Sequence, residues 1–412
     1  MRMWPQGRGF YFGVRKRQHP LFCGVGAVVL CCLLLLAPGC DSGDSTTSVT
    51  GQLVSAEHLG DVSPEILSPL LAAAGVEASL ELRYRVAVYH IQYTTVDQDG
   101  RTVEASAALY IPIGAPAAPF ASTQHGTQTL RQNVASQVPI LYGVDAFILA
   151  AEGYVACSPD YLGYGSSLQM HPYLYAATSA ATVIDAIRAG VRFCDERSIG
   201  LNGSLFLVGY SQGGYVTLAA QRAIEAGADV GLSLSAVASL SGPYDLIGIV
   251  DQMLRDPADD DVVLAAFFVT AYNGIYGWNR LADLFQSPFD GRVSALFDGT
   301  HSFSAVRAAL PPTIGGLLNS DFVGRYLRGE EPDVRAAIAE NTLLDWTPQA
   351  PLRLVHGRAD TTVPYANAVT AFETFTRRGA PHVELVTMEG LGHESTIAVA
   401  IGPTLAWFRS QL

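Results

Sequence analysis

Lysine is almost missing from this 412-residue chain: Lys16 is the only one, and the other 24 of the 25 basic residues are arginine. A chain cut after residue 39 would contain none. That excludes a Schiff-base lysine, a serine–lysine dyad and a Walker-type phosphate loop from its chemistry. Cysteine is just as unevenly placed. Of six, Cys23, Cys31, Cys32 and Cys40 lie in the first forty residues, leaving Cys157 and Cys194. Two thiols supply neither a zinc cluster nor a disulfide scaffold. Charge is sparse as well, at 15% of residues, with 38 acids against 25 bases and a net charge of −13. No basic surplus exists to displace counterions from a phosphate backbone, so nucleic acid is not a partner. What is plentiful is apolar side chain, 49% of the residues, enough to bury a sizeable core.

The N-terminus reads as an address. Arg2, Arg8, Arg15, Lys16 and Arg17 stand without an acid, and Leu21–Pro38 is an almost uninterrupted apolar run. A basic region, an apolar region and small residues at its end form a secretory signal over residues 1–39. The run is also close to the lower length limit of a spanning helix, so an uncleaved anchor is the alternative. Cys40, after Gly39 and before Asp-Ser-Gly-Asp-Ser-Thr-Thr-Ser, resembles the lipobox and tether of bacterial lipoproteins. Leu36 lies one place further from the cysteine than the usual pattern, and Ala37-Pro38-Gly39 also suits an ordinary signal peptidase. Lipidation of Cys40, and hence a membrane partner, is the expectation, with free secretion as its rival. Cleavage before Cys40 would leave 20 basic and 38 acidic residues.

Residues 40–62 are small and polar and read as a flexible tether. Ser63-Pro64-Glu65 opens a short helix through about Ala74, with Ser63 as N-cap and Pro64 in the first turn. Tyr84–Val96 and Thr102–Ile113, separated by Asp97-Gln98-Asp99-Gly100, read as a β-hairpin. Short apolar runs then alternate with helical patterns. The runs are Ala118–Thr123, Tyr154–Ser158, Leu205–Tyr210, Ala236–Leu240, Leu352–Val355 and Val383–Val386. The helices are Tyr173–Cys194, Gln212–Ala226, Tyr365–Arg378 and a last stretch through Trp407. This alternation predicts an α/β fold with a mostly parallel central sheet and helices on both faces. Residues 246–349 interrupt it without a clear strand of their own. So long a gap needs its own structure, and its aromatic and aliphatic helical patterns read as a helical cap inserted between late strands. The sheet domain would comprise residues 63–245 and 350–412. Cys157 near a strand end and Cys194 at the end of the following helix would be about 20 Å apart, so free, buried thiols are expected.

Chemistry concentrates at Gly209-Tyr210-Ser211-Gln212-Gly213. A G-x-S-x-G string alone is weak, but here it follows an apolar strand and opens a helix, the setting of a nucleophile elbow with Ser211 at its tip. A serine hydroxyl needs a base, and the base needs a carboxylate to hold its tautomer. With lysine gone, the base must be histidine. In this arrangement the acid precedes the histidine along the chain. Leu354–Asp360 is a strand running into a loop with an acid, Asp360, and Met388–His393 is a strand exit ending in His393. Asp245, after Ser241-Gly242-Pro243-Tyr244, also follows a strand and is the rival acid. Among nine histidines only His393 has both the order and the location.

On these residues the chain resembles an α/β-hydrolase, and most closely the secretory lipases and their bacterial esterase relatives. The likeness runs from about residue 80 to the end and rests on Gln124–Thr127, Ser158–Gly165, the elbow Gly209–Gly213, Asp360 within His356–Asp360, and His393 after Gly392. It implies ester hydrolysis by Ser211, His393 and Asp360 without a metal or organic cofactor. It further implies an oxyanion hole made by the backbone N–H groups of Gln212 and of Thr127, whose Gln124-His125-Gly126-Thr127 context is similar to the His-Gly-x motif of lipases and esterases. Asp160, Tyr161 and Tyr164 are expected to hold their loop rather than to react. Phe267, Phe268, Tyr272 and Tyr276 either line an acyl pocket or form cap core. A prolyl-oligopeptidase-type peptidase and a catalytically silent binding module are the rival functions. No propeller-like repeat precedes the domain, which disfavours the first. All three triad candidates stand in order, which disfavours the second.

Overall fold

The computed structural model describes residues 50–67, 69, 80–255 and 262–412. Residues 1–39, read above as a secretory signal, and Cys40 lie outside them. Nine strands form one sheet in the order β1-β2-β3-β5-β4-β6-β7-β8-β9. They are β1 Leu53–Val62, β2 Val86–Val96, β3 Thr102–Pro112, β4 Ala118–Gln124, β5 Val155–Pro159, β6 Leu201–Tyr210, β7 Ser233–Leu240, β8 Leu352–Gly357 and β9 Val383–Met388. Strands β5, β4, β6, β7, β8 and β9 are parallel, and β1, β2 and β3 extend the sheet antiparallel beyond β5.

The parallel strands are continuous apolar runs because both of their faces are covered. In β6, Leu205 and Leu207 join the core on one face with Val183 and Ile187 of α2 (Ala176–Glu196) and Val216 of α3 (Gln212–Glu225). Phe206 and Val208 point the other way, into a second core with Phe147 of α1 (Val144–Glu152) and Leu405 and Phe408 near the C-terminus. Alternate side chains therefore cement opposite layers.

The stretch read as tether ends sooner than expected. Residues 53–62 are strand β1, paired with β2 from Leu53 opposite Tyr93 to Val62 opposite Val86. Paired on one side only and largely exposed, an edge strand can keep a linker-like polar composition. Pro64–Leu67 is a 3-10 turn, and the rest of the helix expected there falls mostly outside the described residues. The hairpin, the six sheet runs and the main helices fall where the pattern placed them, within a few residues. Cys157 and Cys194 are free and buried. Burial pushes the Cys157 thiol up, with Asp160 and Cys194 adding to it.

Between β7 and β8 the chain is helical. It begins with α4 (Leu246–Arg255) and α5 (Val262–Ile275) and continues through short helices to α6 (Ser320–Leu327) and α7 (Pro332–Glu340). Polar pins join this insertion to the sheet domain. Arg131 donates to Asp298 O at 2.6 Å, and Asn341 accepts from Ala176 N at the start of α2 and, through its carbonyl, from Tyr215 OH in α3, both at 2.8 Å. After it come α8 (Tyr365–Arg377) and α9 (His393–Arg409).

Candidate active site

Ser211 stands between β6 and α3 with φ 57° and ψ −121°. A side chain other than glycine in the left-handed region costs about 1–3 kcal/mol and is held there only by its surroundings. The surroundings are glycines. A Cβ on Gly209 would collide with the Gly213 carbonyl, and one on Gly213 with the Gln124 carbonyl of β4. The turn therefore closes onto the neighbouring strand only because these positions lack side chains, and Ser211 is lifted at the C-terminal edge of the sheet.

His393 is the first residue of α9 and reaches Ser211 from the end of the chain. Its Nε2 is 2.9 Å from Ser211 Oγ, and its Nδ1 is 2.7 Å from Asp360 Oδ2. Nδ1 thus carries the proton toward the carboxylate and Nε2 is free to accept one from serine. The other oxygen of Asp360 accepts the backbone N–H groups of Thr362 at 3.0 Å and Val363 at 2.9 Å. Burial by itself would raise this carboxyl, but the hydrogen bonds from His356, His393 and Val363 outweigh it and hold Asp360 down at about 2. The rival acid is elsewhere: Asp245 Oδ1 accepts Gly248 N at 3.0 Å and caps the start of α4.

Gln212 opens α3, so its N–H is among the first-turn donors that have no partner inside the helix. The Gln124–Thr127 loop lies against the elbow, since a Cβ on Gly126 would sit 3.6 Å from Ser211 Cβ. Thr127 Oγ1 is 2.8 Å from Tyr173 OH. The loop's shape is fixed from below. Tyr161 OH donates to His125 O at 3.1 Å, and Tyr164 OH donates to Gln128 O. Asp160, fully buried, accepts Ser106 Oγ at 2.6 Å and Ser136 N at 3.2 Å. Burial pushes its carboxyl up to about 6 against those bonds.

A cavity of about 110 Å³ opens on Ser211 and Gln212. Helix α4 lines it with Leu246, Ile249, Val250 and Met253, helix α5 with Leu264 and Phe268, and the loop after β8 with Thr361–Pro364. Of the aromatic stripe only Phe268 reaches this cavity. Phe267 stacks between Tyr173 and Phe297, Tyr272 donates to Leu174 O at 3.0 Å, and Tyr276 to Glu340 at 2.9 Å. Among the described residues no group of three His, Cys, Asp or Glu side chains is placed to hold a metal ion.

A model of the Secretory lipase family matches residues 134–412. The chain belongs to the secretory lipase family. It is accordingly an ester-hydrolysing enzyme of the α/β-hydrolase fold. Ser211, Gln212, Asp360 and His393 of this secretory lipase fall inside the matched region, and Thr127 lies just before it. A protein from Legionella pneumophila is similar over 87% of this chain and 98% of its own, at 26% identity and a TM-score of 0.82. The rice cell wall degrading esterase LipA from Xanthomonas oryzae is similar over 88% and 98%, at 29% identity and a TM-score of 0.76. Candida antarctica lipase A in its closed state shares the fold at 14% identity and a TM-score of 0.63, over 88% of this chain and 82% of its own. No curated protein sequence matches the chain.

Two histidines around the secretory lipase's elbow escaped the sequence reading. His171, buried, is 2.7 Å from Leu162 O through Nδ1 and 2.6 Å from Gln212 Nε2 through Nε2. Burial holds it down at about 3, so it is neutral, donating to the carbonyl and accepting from the amide. His356, also buried, lies beside Asp360. Neither carries a local signal except that His356 precedes the acid by four residues on the same strand exit.

Proposed function

We propose that this secretory lipase cleaves carboxylic esters through an acyl-enzyme formed on Ser211. His393 Nε2 takes the Ser211 proton as Oγ attacks the ester carbonyl carbon, and Asp360 stabilises the imidazolium that results. The carbonyl oxygen becomes an oxyanion facing the N–H groups of Gln212 and Thr127, each of which contributes about 3 kcal/mol to the barrier lowering in such sites. Collapse expels the alcohol, which receives the proton back from His393. Water then attacks the acyl-enzyme by the same relay in reverse and releases the carboxylic acid. The observation that carries this reading is the unbroken chain Ser211 Oγ, His393 Nε2, His393 Nδ1, Asp360 Oδ2, with links of 2.9 and 2.7 Å.

Export follows from the basic and apolar N-terminus, and the membrane tether from acylation at Cys40. No described helix is long and apolar enough to cross a membrane. Purified protein incubated with a fluorophosphonate probe is expected to carry it on Ser211 and to turn over p-nitrophenyl esters, whereas Ser211→Ala does neither. Absence of labelling and of turnover in the unaltered protein would sink the proposal. Cys40→Ala should move the protein out of the membrane fraction and remove the acyl mass from its N-terminal peptide. A Cys40→Ala protein that stayed membrane-bound would refute the anchor alone.

A further inference from the structure

The carboxylate of Asp360 is shared by two histidines. Oδ2 accepts His393 Nδ1 at 2.7 Å and also lies 3.1 Å from His356 Nε2. The same His356 nitrogen is 2.8 Å from Val363 O. Both neighbours are acceptors, so Nε2 bears the proton and divides it between them. The opposite nitrogen, Nδ1, is buried without a hydrogen-bond partner. Leucine or phenylalanine would fill this enclosed space without stranding a ring nitrogen. What only a donor supplies here is the bond to the acid loop.

That bond closes a ring: Val363 N–H donates to Asp360 Oδ1, while Val363 O accepts from His356. The loop from residue 357 to residue 363 is thereby cinched onto its own strand. The strand end is also packed closely on the segment that carries His393, for a Cβ on Gly357 would collide with Leu391 O and, in α9, with Thr396 Oγ1. We propose that His356 is a positioning residue for the acid: its Nε2–H, shared between Val363 O and Asp360 Oδ2, sets the carboxylate's orientation and moderates its hold on His393. The inference rests on the triad reading. A carboxylate oxygen that already accepts one N–H polarises a second one less, so His356 tempers the basicity that Asp360 confers on the catalytic histidine.

Other ionisable groups face this cluster from each neighbouring element. Tyr210, at the end of β6, has its ring 4.9 Å from that of His393. Glu394 follows His393 in α9. Tyr365 of α8 packs edge-on against His356 at 5.9 Å, and Arg358 lies 4.7 Å over the Tyr365 ring while pairing with Glu389. Among the described residues none of these hydrogen-bonds Asp360.

The test compares His356→Phe, His356→Gln and His356→Asn by kcat, KM, pH profile and melting temperature with p-nitrophenyl butyrate, using fluorophosphonate labelling of Ser211 as the control. His356→Phe should retain KM within about twofold and lose about tenfold in kcat. The acid limb of its kcat/KM profile should move up by about half a pH unit, since Asp360 then pulls on His393 alone. His356→Gln, whose amide N–H reaches both acceptors, should restore most of kcat and return the limb, while the shorter Asn should not. If Phe prevents folding, the contrast between Gln and Asn decides. Unchanged kcat and an unmoved limb in Phe, or equal losses in Gln and Asn that follow their melting temperatures, would overturn the proposal. Turnover that survives Ser211→Ala would instead overturn the triad reading beneath it.

Discussion

On the sheet side of the cavity the side chains of the proposed triad are joined by directional hydrogen bonds; on the cap side the lining is mostly apolar and meets the cavity chiefly through packing. Asp360 receives two backbone N–H groups and two histidines, and Ser211 sits in a backbone conformation that glycines at 209 and 213 make room for. Opposite them, Leu246, Ile249, Val250, Met253 and Phe268 present apolar side chains, with Gln252 the polar one among them. A cluster of ion pairs lies within the cap itself: Glu331 accepts Arg280 at 2.8 Å and Arg325 at 2.7 Å, and Arg325 also reaches Asp283 at 2.7 Å. Directional bonds fix atoms to fractions of an ångström and fail when one atom is removed. Dispersion contacts tolerate exchange and fail gradually. The two walls should therefore respond very differently to substitution.

The largest effect belongs to the sheet side. Ser211→Ala should lower kcat by at least about 10⁴-fold with an unchanged melting temperature, read by ester turnover. Asp360→Asn comes next, with a loss of about 10³-fold because the amide favours the wrong tautomer of His393. The same variant has a stability signature. Asp360 is held at about 2, below its ordinary 3.8, so its ionised form stabilises the fold above pH 4, and that contribution is lost as pH falls through 2. Acid titrations of unfolding should show a steeper fall between pH 4 and 2 in the unaltered protein than in Asp360→Asn; parallel curves would count against the assignment. Phe268→Ala, on the cap side, should leave kcat for short esters within about threefold while shifting preference toward longer acyl chains by about tenfold, seen in a p-nitrophenyl ester series. The smallest effect is expected at Glu331→Gln. It should lower the melting temperature by about 2 °C, since its arginine partners are part-exposed and screened, and leave the ester profile unaltered. A cap substitution that abolished turnover of every ester would break the contrast between the walls.

The same contrast explains what could be read without coordinates. The parallel strands were legible because burial on both faces forces continuous apolar runs, and the elbow because the close approach of Gly213 to Gln124 permits only glycine. Asp360 and His393 were singled out by order along the chain; they hydrogen-bond each other, and His393 reaches Ser211, whereas the Asp245 carboxylate caps α4. Strand β1 was not legible, because half of an edge strand faces solvent and its composition then mimics a linker. His171 was missed because its partners are a backbone carbonyl and a side chain distant in sequence, and His356 because a bond to a backbone carbonyl and to a single acid four residues on leaves no periodicity. The cap wall of the cavity was legible in part: Phe268 stood in the aromatic stripe with an acyl pocket as one of its two readings, whereas Val250 and Met253 look like any helical core until the cavity shows that they face it.

The loop after β8 does two things at once. Asp360 turns inward to His393, and the next four residues, Thr361 to Pro364, form part of the cavity wall. A substrate that presses on those four residues presses on the acid's own support. For anyone wishing to retune this enzyme, the loop is the wrong place to begin, because selectivity altered there drags turnover with it. Helices α4 and α5 offer the separable control, where the accepted ester can be changed while the relay keeps its geometry.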